Sequence, residues 1–287
     1  MVVLIAVIVI LVIIMLSIYV YKESIGYSIV KYQIYDERFT EDNTVIVFLS
    51  DLHNKQHGKG NSQVYADIDE ISPDYVFIGG DMITSCLEKF SDFMGTLDFV
   101  RKLSDKYRVY YGMGNHEERL RRRPEKYPEG TFDKLTNTLS DIGTPILVNE
   151  CVHLKENIDL YGLDLDHRYY RKFITRRIKG DYLNNILGKP DENKYNILLA
   201  HNPEHFESYA NWGADLVMSG HVHGGIIRIP YLGGVISPAM KLFPKYDGGL
   251  FSEYGAKMVL SRGLGSHTIP IRINNKAELV VVELIKK

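Results

Sequence analysis

The chain has 287 residues with 45% hydrophobic, 24% charged and 11% aromatic side chains, a balance that excludes disordered, collagen-like and fibrous classes. A formal net charge of −2 provides no global basic field, so no nucleic-acid partner is expected. Two cysteines, Cys86 and Cys151, are too few for a disulfide framework or a cysteine-built zinc site, and both read as buried structural thiols.

From Met1 to Val20 there is no charge, and Val, Ile and Leu dominate. As a helix, about twenty apolar residues cover roughly 30 Å, the hydrocarbon thickness of a bilayer. A cleaved signal peptide needs a basic n-region and small residues at its cleavage site. Here only the α-amino group precedes the run, and Leu16-Ser17-Ile18-Tyr19-Val20-Tyr21 ends it. Tyr19 and Tyr21 suit an interfacial belt. Residues 1–21 are therefore expected to be a single-pass, uncleaved anchor in the cell membrane. Lys22, Lys31 and Arg38 follow the helix, which favours a cytoplasmic body by the positive-inside rule. A lone uncleaved anchor often leads its domain outwards, so the side stays open.

Residues 22–43 read as a connector with room for one edge strand, and 44–287 as one domain. From Thr44 onwards, short β-rich runs stop at polar or glycine-rich turns. Val45–Leu49 precedes Ser50-Asp51, and Tyr75–Ile78 precedes Gly79-Gly80-Asp81. Arg108–Tyr111 precedes Gly112-Met113-Gly114-Asn115-His116, Asn196–Ala200 precedes His201, and Leu216–Met218 precedes Ser219-Gly220-His221. Helical spacing recurs between them at Asn61–Ile71, Phe90–Leu103 and Phe132–Leu139. Strands alternating with helices imply an α/β fold. The β-rich runs at Lys257–Ser261 and Leu279–Leu284 suggest a second, largely antiparallel sheet that closes the core.

In open α/β sheets, ligands bind beyond the carboxyl ends of strands. Those ends carry Asp51 and His53, Asp81, Asn115 and His116, His201, and finally His221 and His223, which include five of the ten histidines. Any one alone is weak, since a lone Asp-x-His is more often a capping pair. Together, carboxylates, imidazoles and an amide oxygen suit manganese, iron or zinc. Such a set exceeds the needs of one ion, so two divalent ions sharing a carboxylate are the natural count.

The order of these elements resembles that of the calcineurin-like metallophosphoesterases. The family pattern of Asp-x-His, Gly-Asp, Gly-Asn-His-Asp/Glu, a lone His and Gly-His-x-His appears as Asp51-Leu52-His53, Gly80-Asp81, Gly114-Asn115-His116-Glu117, His201 and Gly220-His221-Val222-His223. Ser219–Gly225, Ser261–Gly265 and Pro270-Ile271-Arg272 are similar to a bacterial, membrane-associated subgroup, some of whose members act on UDP-2,3-diacylglucosamine. Ile226 stands where many of these relatives carry Gln, and Ala277 where many carry Pro. The resemblance implies a four-layer αββα sandwich of two mixed sheets, preceded by the transmembrane helix. It also implies a phosphoesterase with a dinuclear centre and a bridging hydroxide nucleophile.

Carried onto matching positions, the family pattern assigns Asp51, His53, Asp81 and His223 to one ion, and Asp81, Asn115, His201 and His221 to the other. His116 would then face the substrate as a proton donor, oriented by Glu117. His57, His153, His167, His205 and His267 read as surface or supporting groups. Two basic clusters, Arg119–Lys126 and Arg168–Lys179, read as a solvated face, a diphosphate clamp or a lipid-headgroup contact. The expected substrate is a phosphoester or diphosphate on a lipid precursor. A cell-envelope phosphodiester is the alternative substrate, and a non-catalytic scaffold of the same fold the alternative function.

Overall fold

The computed structural model describes residues 1–40, 43–85, 89–171, 176–225, 227–237, 241–266 and 271–287. Helix α1 (Val2–Ile25) opens the chain with no buried residue, and by length and composition it can cross a membrane. It is apolar all round, unlike the amphipathic helices that cover a sheet. The body begins with β1 (Tyr27–Asp36), β2 (Asn43–Leu49), α2 (Ser62–Ile71), β3 (Tyr75–Ile78), α3 (Met94–Ser104), β4 (Arg108–Gly112), α4 (Asn115–Arg122), α5 (Thr131–Asp141) and β5 (Ile146–Leu147). It continues with β6 (Glu150–Lys155), β7 (Ile158–Gly162), α6 (Tyr182–Leu187), β8 (Tyr195–Leu199), α7 (Phe206–Trp212) and β9 (Leu216–Ser219). A small hairpin, β10 (Arg228–Ile229) and β11 (Gly233–Gly234), precedes β12 (Gly249–Glu253), β13 (Ala256–Leu260) and β14 (Ala277–Lys286).

Two six-stranded sheets result, in the orders β1-β14-β2-β3-β4-β5 and β12-β13-β9-β8-β7-β6. Strand alternation explains why they stack. On β2, Ile46 and Phe48 face the second sheet while Val47 and Leu49 face the helices, and all four are fully buried. On β8, Ile197 and Leu199 face inward while Leu198 packs beneath α7 with Phe206 and Tyr209. Strands that are apolar on both faces must be covered on both, which gives helices, sheet, sheet and helices. The architecture is a four-layer αββα sandwich with both sheets mixed.

One expectation changes. The C-terminal runs do not form a separate antiparallel sheet: β13 joins the second sheet parallel to β9, and β14 enters the first between β1 and β2. Local pattern marks these as strands, but pairing partners far along the chain choose the sheet. Residues 22–43, read as a connector with room for one edge strand, hold the end of α1 and the edge strand β1, which pairs with β14 over ten residues from Tyr27 to Asp36. Any soluble fragment that keeps this edge must begin before Tyr27.

Candidate metal centre

Five strands deliver their C-terminal ends to one crevice, β2, β3 and β4 from the first sheet and β8 and β9 from the second. Backbone hydrogen bonds knit the turns together: Asp51 N donates to Gly80 O at 3.0 Å, His53 N to Asp81 O at 3.1 Å, and Gly220 N to His201 O at 3.1 Å. Asp51, His53, Asp81, His221 and His223 all adopt left-handed backbone with φ between 50° and 73°. That conformation costs energy for residues with a Cβ and clusters at functional sites. Gly80, at φ 89°, is required beside them, since a Cβ there would lie 2.9 Å from the Met113 carbonyl carbon.

Six of the seven expected ligands come together. Ligand atoms of Asp51, His53 and His223 lie within 4.8 Å of one another, as do those of Asp81, His201 and His221, and of His53, Asp81 and His116. The His53 and His223 Nε2 atoms approach to 3.1 Å, and His223 Nε2 is 3.3 Å from Asp51 Oδ1. His201 Nδ1 lies 2.7 Å from the Gly79 carbonyl and must donate to it, which leaves Nε2 facing Asp81 Oδ2 at 3.1 Å. Asn115 heads α4, and its Oδ1 is buried without a hydrogen-bond partner. A buried amide oxygen left this way calls for a partner, which a metal ion or a water can supply. The donor set and the orphaned oxygen fit divalent cations of the manganese, iron or zinc type.

His116 sits at the second position of α4, with its amide donating to Asp81 Oδ1 at 2.7 Å. Ser85 N donates to His116 Nδ1 at 2.8 Å, so Nδ1 is unprotonated and Nε2 carries the hydrogen. That Nε2 is 3.9 Å from Asp81 Oδ2, at the centre of the cluster. The expected role of Glu117 is corrected. Its carboxylate accepts from Asp81 N at 2.9 Å, Met82 N at 3.1 Å and the Tyr111 hydroxyl at 2.8 Å. Adjacent residues on a helix point about 100° apart, so Glu117 holds the Asp81 turn while Ser85 holds the His116 ring.

Electrostatics follow from crowding. Burial pushes the Asp51 carboxyl up, whereas His201 and His116 hold Asp81 well below the usual carboxylate range against its own burial. Burial opposes the charge on His201, but Asp81 and Asp51 outweigh it and push the imidazole up to about 10. A metal ion must displace that proton. The apparent affinity for Zn²⁺ or Mn²⁺ is therefore expected to rise about tenfold per pH unit from roughly pH 6 to 9, with one proton released. Calorimetry in buffers of different ionisation enthalpy counts that proton, and a flat affinity would show that His201 is already neutral in the metal-free protein.

Several supporting residues carry no local signal in the sequence. Ser85 is one, and Tyr170 is another, its ring edge-on to His221 at 5.2 Å. Arg272 is buried, which pushes its guanidinium down to about 10, and it donates to the carbonyls of Gly265 at 2.6 Å, Arg262 at 2.8 Å and His223 at 3.4 Å. Among the expected bystanders, His57 is buried with Nε2 2.9 Å from Leu264 O, His205 is buried against Tyr169, and His153 and His167 are exposed. His267, Cys86 and Ile226 lie outside the described residues. Cys151, expected to be buried, is exposed because β6 is a sheet edge. It approaches His153 and Asp159, but Lys194 Nζ already lies 3.0 Å from Asp159 and 3.3 Å from His153.

The first basic cluster is largely committed to internal partners. Arg119 donates to Ser85 Oγ at 2.9 Å, Arg121 pairs with Asp164 at 2.6 Å and Arg122 with Glu118 at 3.1 Å. In the second, Arg168 lies over Tyr169, Arg176, Arg177 and Lys179 are exposed, and Lys172 lies outside the described residues.

The family model described as calcineurin-like phosphoesterase matches residues 44–225. A Helicobacter pylori J99 protein named an uncharacterized metallophosphoesterase is 30% identical over 84% of this chain and 60% of its own length. The chain thus spans about three fifths of that relative. The Bacillus subtilis metallophosphoesterase YkoQ is 26% identical over 82% of this chain and 81% of its own. The Escherichia coli phosphodiesterase YaeI is 25% identical over 86% and 85%. The matched segment runs from β2 through the His221–His223 turn and so contains every residue of the crevice, and this chain belongs to the calcineurin-like phosphoesterase family.

Proposed function

We propose that the chain is a membrane-anchored phosphoric ester hydrolase that works with two divalent ions on a phosphodiester or a diphosphate. The observation that supports this reading is the convergence of Asp51, His53, Asp81, His201, His221 and His223 from both sheets in one crevice. Asp51, His53, Asp81 and His223 would hold one ion, and Asp81, Asn115, His201 and His221 the other. When bound, the ions supply Lewis acidity towards the phosphoryl oxygens and lower the pKa of water into the neutral range.

The chain's own groups then have defined tasks. His116 holds a proton on Nε2, aimed at the crevice, and can pass it to the leaving oxygen. Ser85, itself held by Arg119, keeps the ring from turning. Glu117 fixes the Asp81 turn, and the amino end of α4 favours an anion at the same place. Helix α1 would keep the body beside the bilayer, where a lipid precursor of the UDP-2,3-diacylglucosamine type is presented. The diester preference is favoured by the name of the Escherichia coli relative.

The test is hydrolysis of bis-p-nitrophenyl phosphate and p-nitrophenyl phosphate by the full chain in detergent, with Mn²⁺, Zn²⁺, Fe²⁺ or no metal. Metal-dependent turnover that favours the diester is expected. His116→Ala should lower kcat by about 10²–10⁴-fold while both ions stay bound. Two bound ions without turnover on either substrate would favour the scaffold reading.

A further inference from the structure

Among the described residues, helix α1 meets the body near its C-terminal end, and those contacts fall around the candidate metal centre. The Tyr19 hydroxyl donates to Asn274 Oδ1, Arg272 N donates to Ser24 Oγ at 3.1 Å, and Lys55 Nζ to Ser24 O at 2.8 Å. Lys55 is two residues past His53. Asn275, beside Asn274, donates from Nδ2 to the His223 carbonyl at 2.7 Å. One short segment, 271–276, thus ties the base of α1 to the turn that carries His221 and His223.

The same segment carries an apolar projection. Ile273 bridges Ile227 and accepts from Arg228 N at 3.0 Å, which launches the β10–β11 hairpin beside α1. At its tip Tyr231 is fully exposed and Leu232 65% exposed; the adjoining turn exposes Leu242 by 67% and Phe243 by 56%. Phe243 N donates to Val235 O at 2.9 Å, which joins that turn to the hairpin. Among the described residues, twelve large apolar side chains that follow α1 are exposed, and seven of them are Ile227, Ile271 and the side chains of this hairpin and this turn. Turn tips ordinarily carry Gly, Asn, Asp or Ser. Tyr231 and Phe243 instead hold aromatic rings at φ 68° and 47°, where a bulky residue is strained. Apolar rings kept at such positions, beside the base of an unburied apolar helix, match a lipid surface.

We propose that the β10–β11 hairpin and the Leu242–Phe243 turn are a second membrane contact. They dip into the headgroup–acyl boundary of the leaflet that α1 enters and hold the candidate metal centre against it. The phosphoester taken there is that of a lipid whose acyl part stays in the bilayer. The inference rests on α1 being a membrane anchor.

The test uses the full chain in phosphatidylcholine–phosphatidylglycerol vesicles with brominated acyl chains. Tryptophan quenching is read for Leu11→Trp, Tyr231→Trp, Leu232→Trp and Tyr35→Trp, against the baseline of Trp212. Tyr35 lies near the far end of β1, roughly 25 Å along the strand from the base of α1. Quenching at positions 11, 231 and 232 but not at 35 is expected. Quenching at 11 alone overturns the proposal and leaves the anchor standing; concentration-dependent self-association alongside it assigns the patch to a second copy. No quenching at 11 overturns the anchor and the proposal together. In a second arm, Leu232→Asp with Phe243→Asp should slow hydrolysis of vesicle-embedded hexadecyl p-nitrophenyl phosphate about tenfold and leave soluble bis-p-nitrophenyl phosphate unchanged. Equal loss on both substrates, or no loss on either, overturns it.

Discussion

Asp81→Asn is expected to lower turnover on bis-p-nitrophenyl phosphate by about a thousandfold or more, the equivalent of roughly 4 kcal/mol of lost transition-state stabilisation. The change keeps size and shape, and Asn can still accept from the His116 amide as Asp81 Oδ1 does at 2.7 Å. The fold should therefore survive. What disappears is the one negative charge that both ion positions would share, 3.1 Å from His201 Nε2 and 3.9 Å from His116 Nε2. Metal analysis after dialysis should find fewer than two ions per chain, with an unchanged circular dichroism spectrum. Full activity with two ions bound would remove Asp81 from the bridging position.

Glu117→Ala should damage the fold as well as the site. Glu117 is fully buried, and its carboxylate is the acceptor for two backbone amides and the Tyr111 hydroxyl. Each buried donor left without a partner costs about 1–3 kcal/mol, and the vacated volume adds to that. A loss of about 4 kcal/mol is expected, or on the order of 10 °C in Tm for a body of this size. Metal affinity should fall with it, because the Asp81 turn loses its clamp. Glu117→Gln, which retains one acceptor oxygen, should lose less than Glu117→Ala in a thermal melt. Equal Tm values for the two variants would show that these hydrogen bonds are not what holds the turn.

The Glu117 result marks where the sequence stops being legible. Asp51, His53, Asp81, Asn115, His201, His221 and His223 could be singled out because each follows a β-rich run, and the end of a strand is a local property. Which face a neighbouring side chain takes is different. Glu117 looks like the partner of His116 because it is adjacent, but helix geometry sends it towards Asp81 and Met82. The group that does hold His116 is Ser85, 31 residues away, on a turn with no distinguishing pattern.

The same division applies to the fold and to the membrane. Periodicity and composition determined the strand-and-helix alternation, the polar residues at the strand ends and the long apolar helix at the N-terminus, and the family resemblance divided those residues into ligands and a substrate-facing His116. Those properties depend on residues within a few positions of one another. Only the tertiary structure decided that β14 pairs with β1 and β2, 250 residues apart in register at Tyr27 and Ala277. It alone brought Arg272 and Asn275 beneath the His223 turn and set the Tyr231 hairpin beside the base of α1. Such contacts follow from chain closure across the whole molecule, where two-sided burial sorts strands between sheets and no local pattern records the partner.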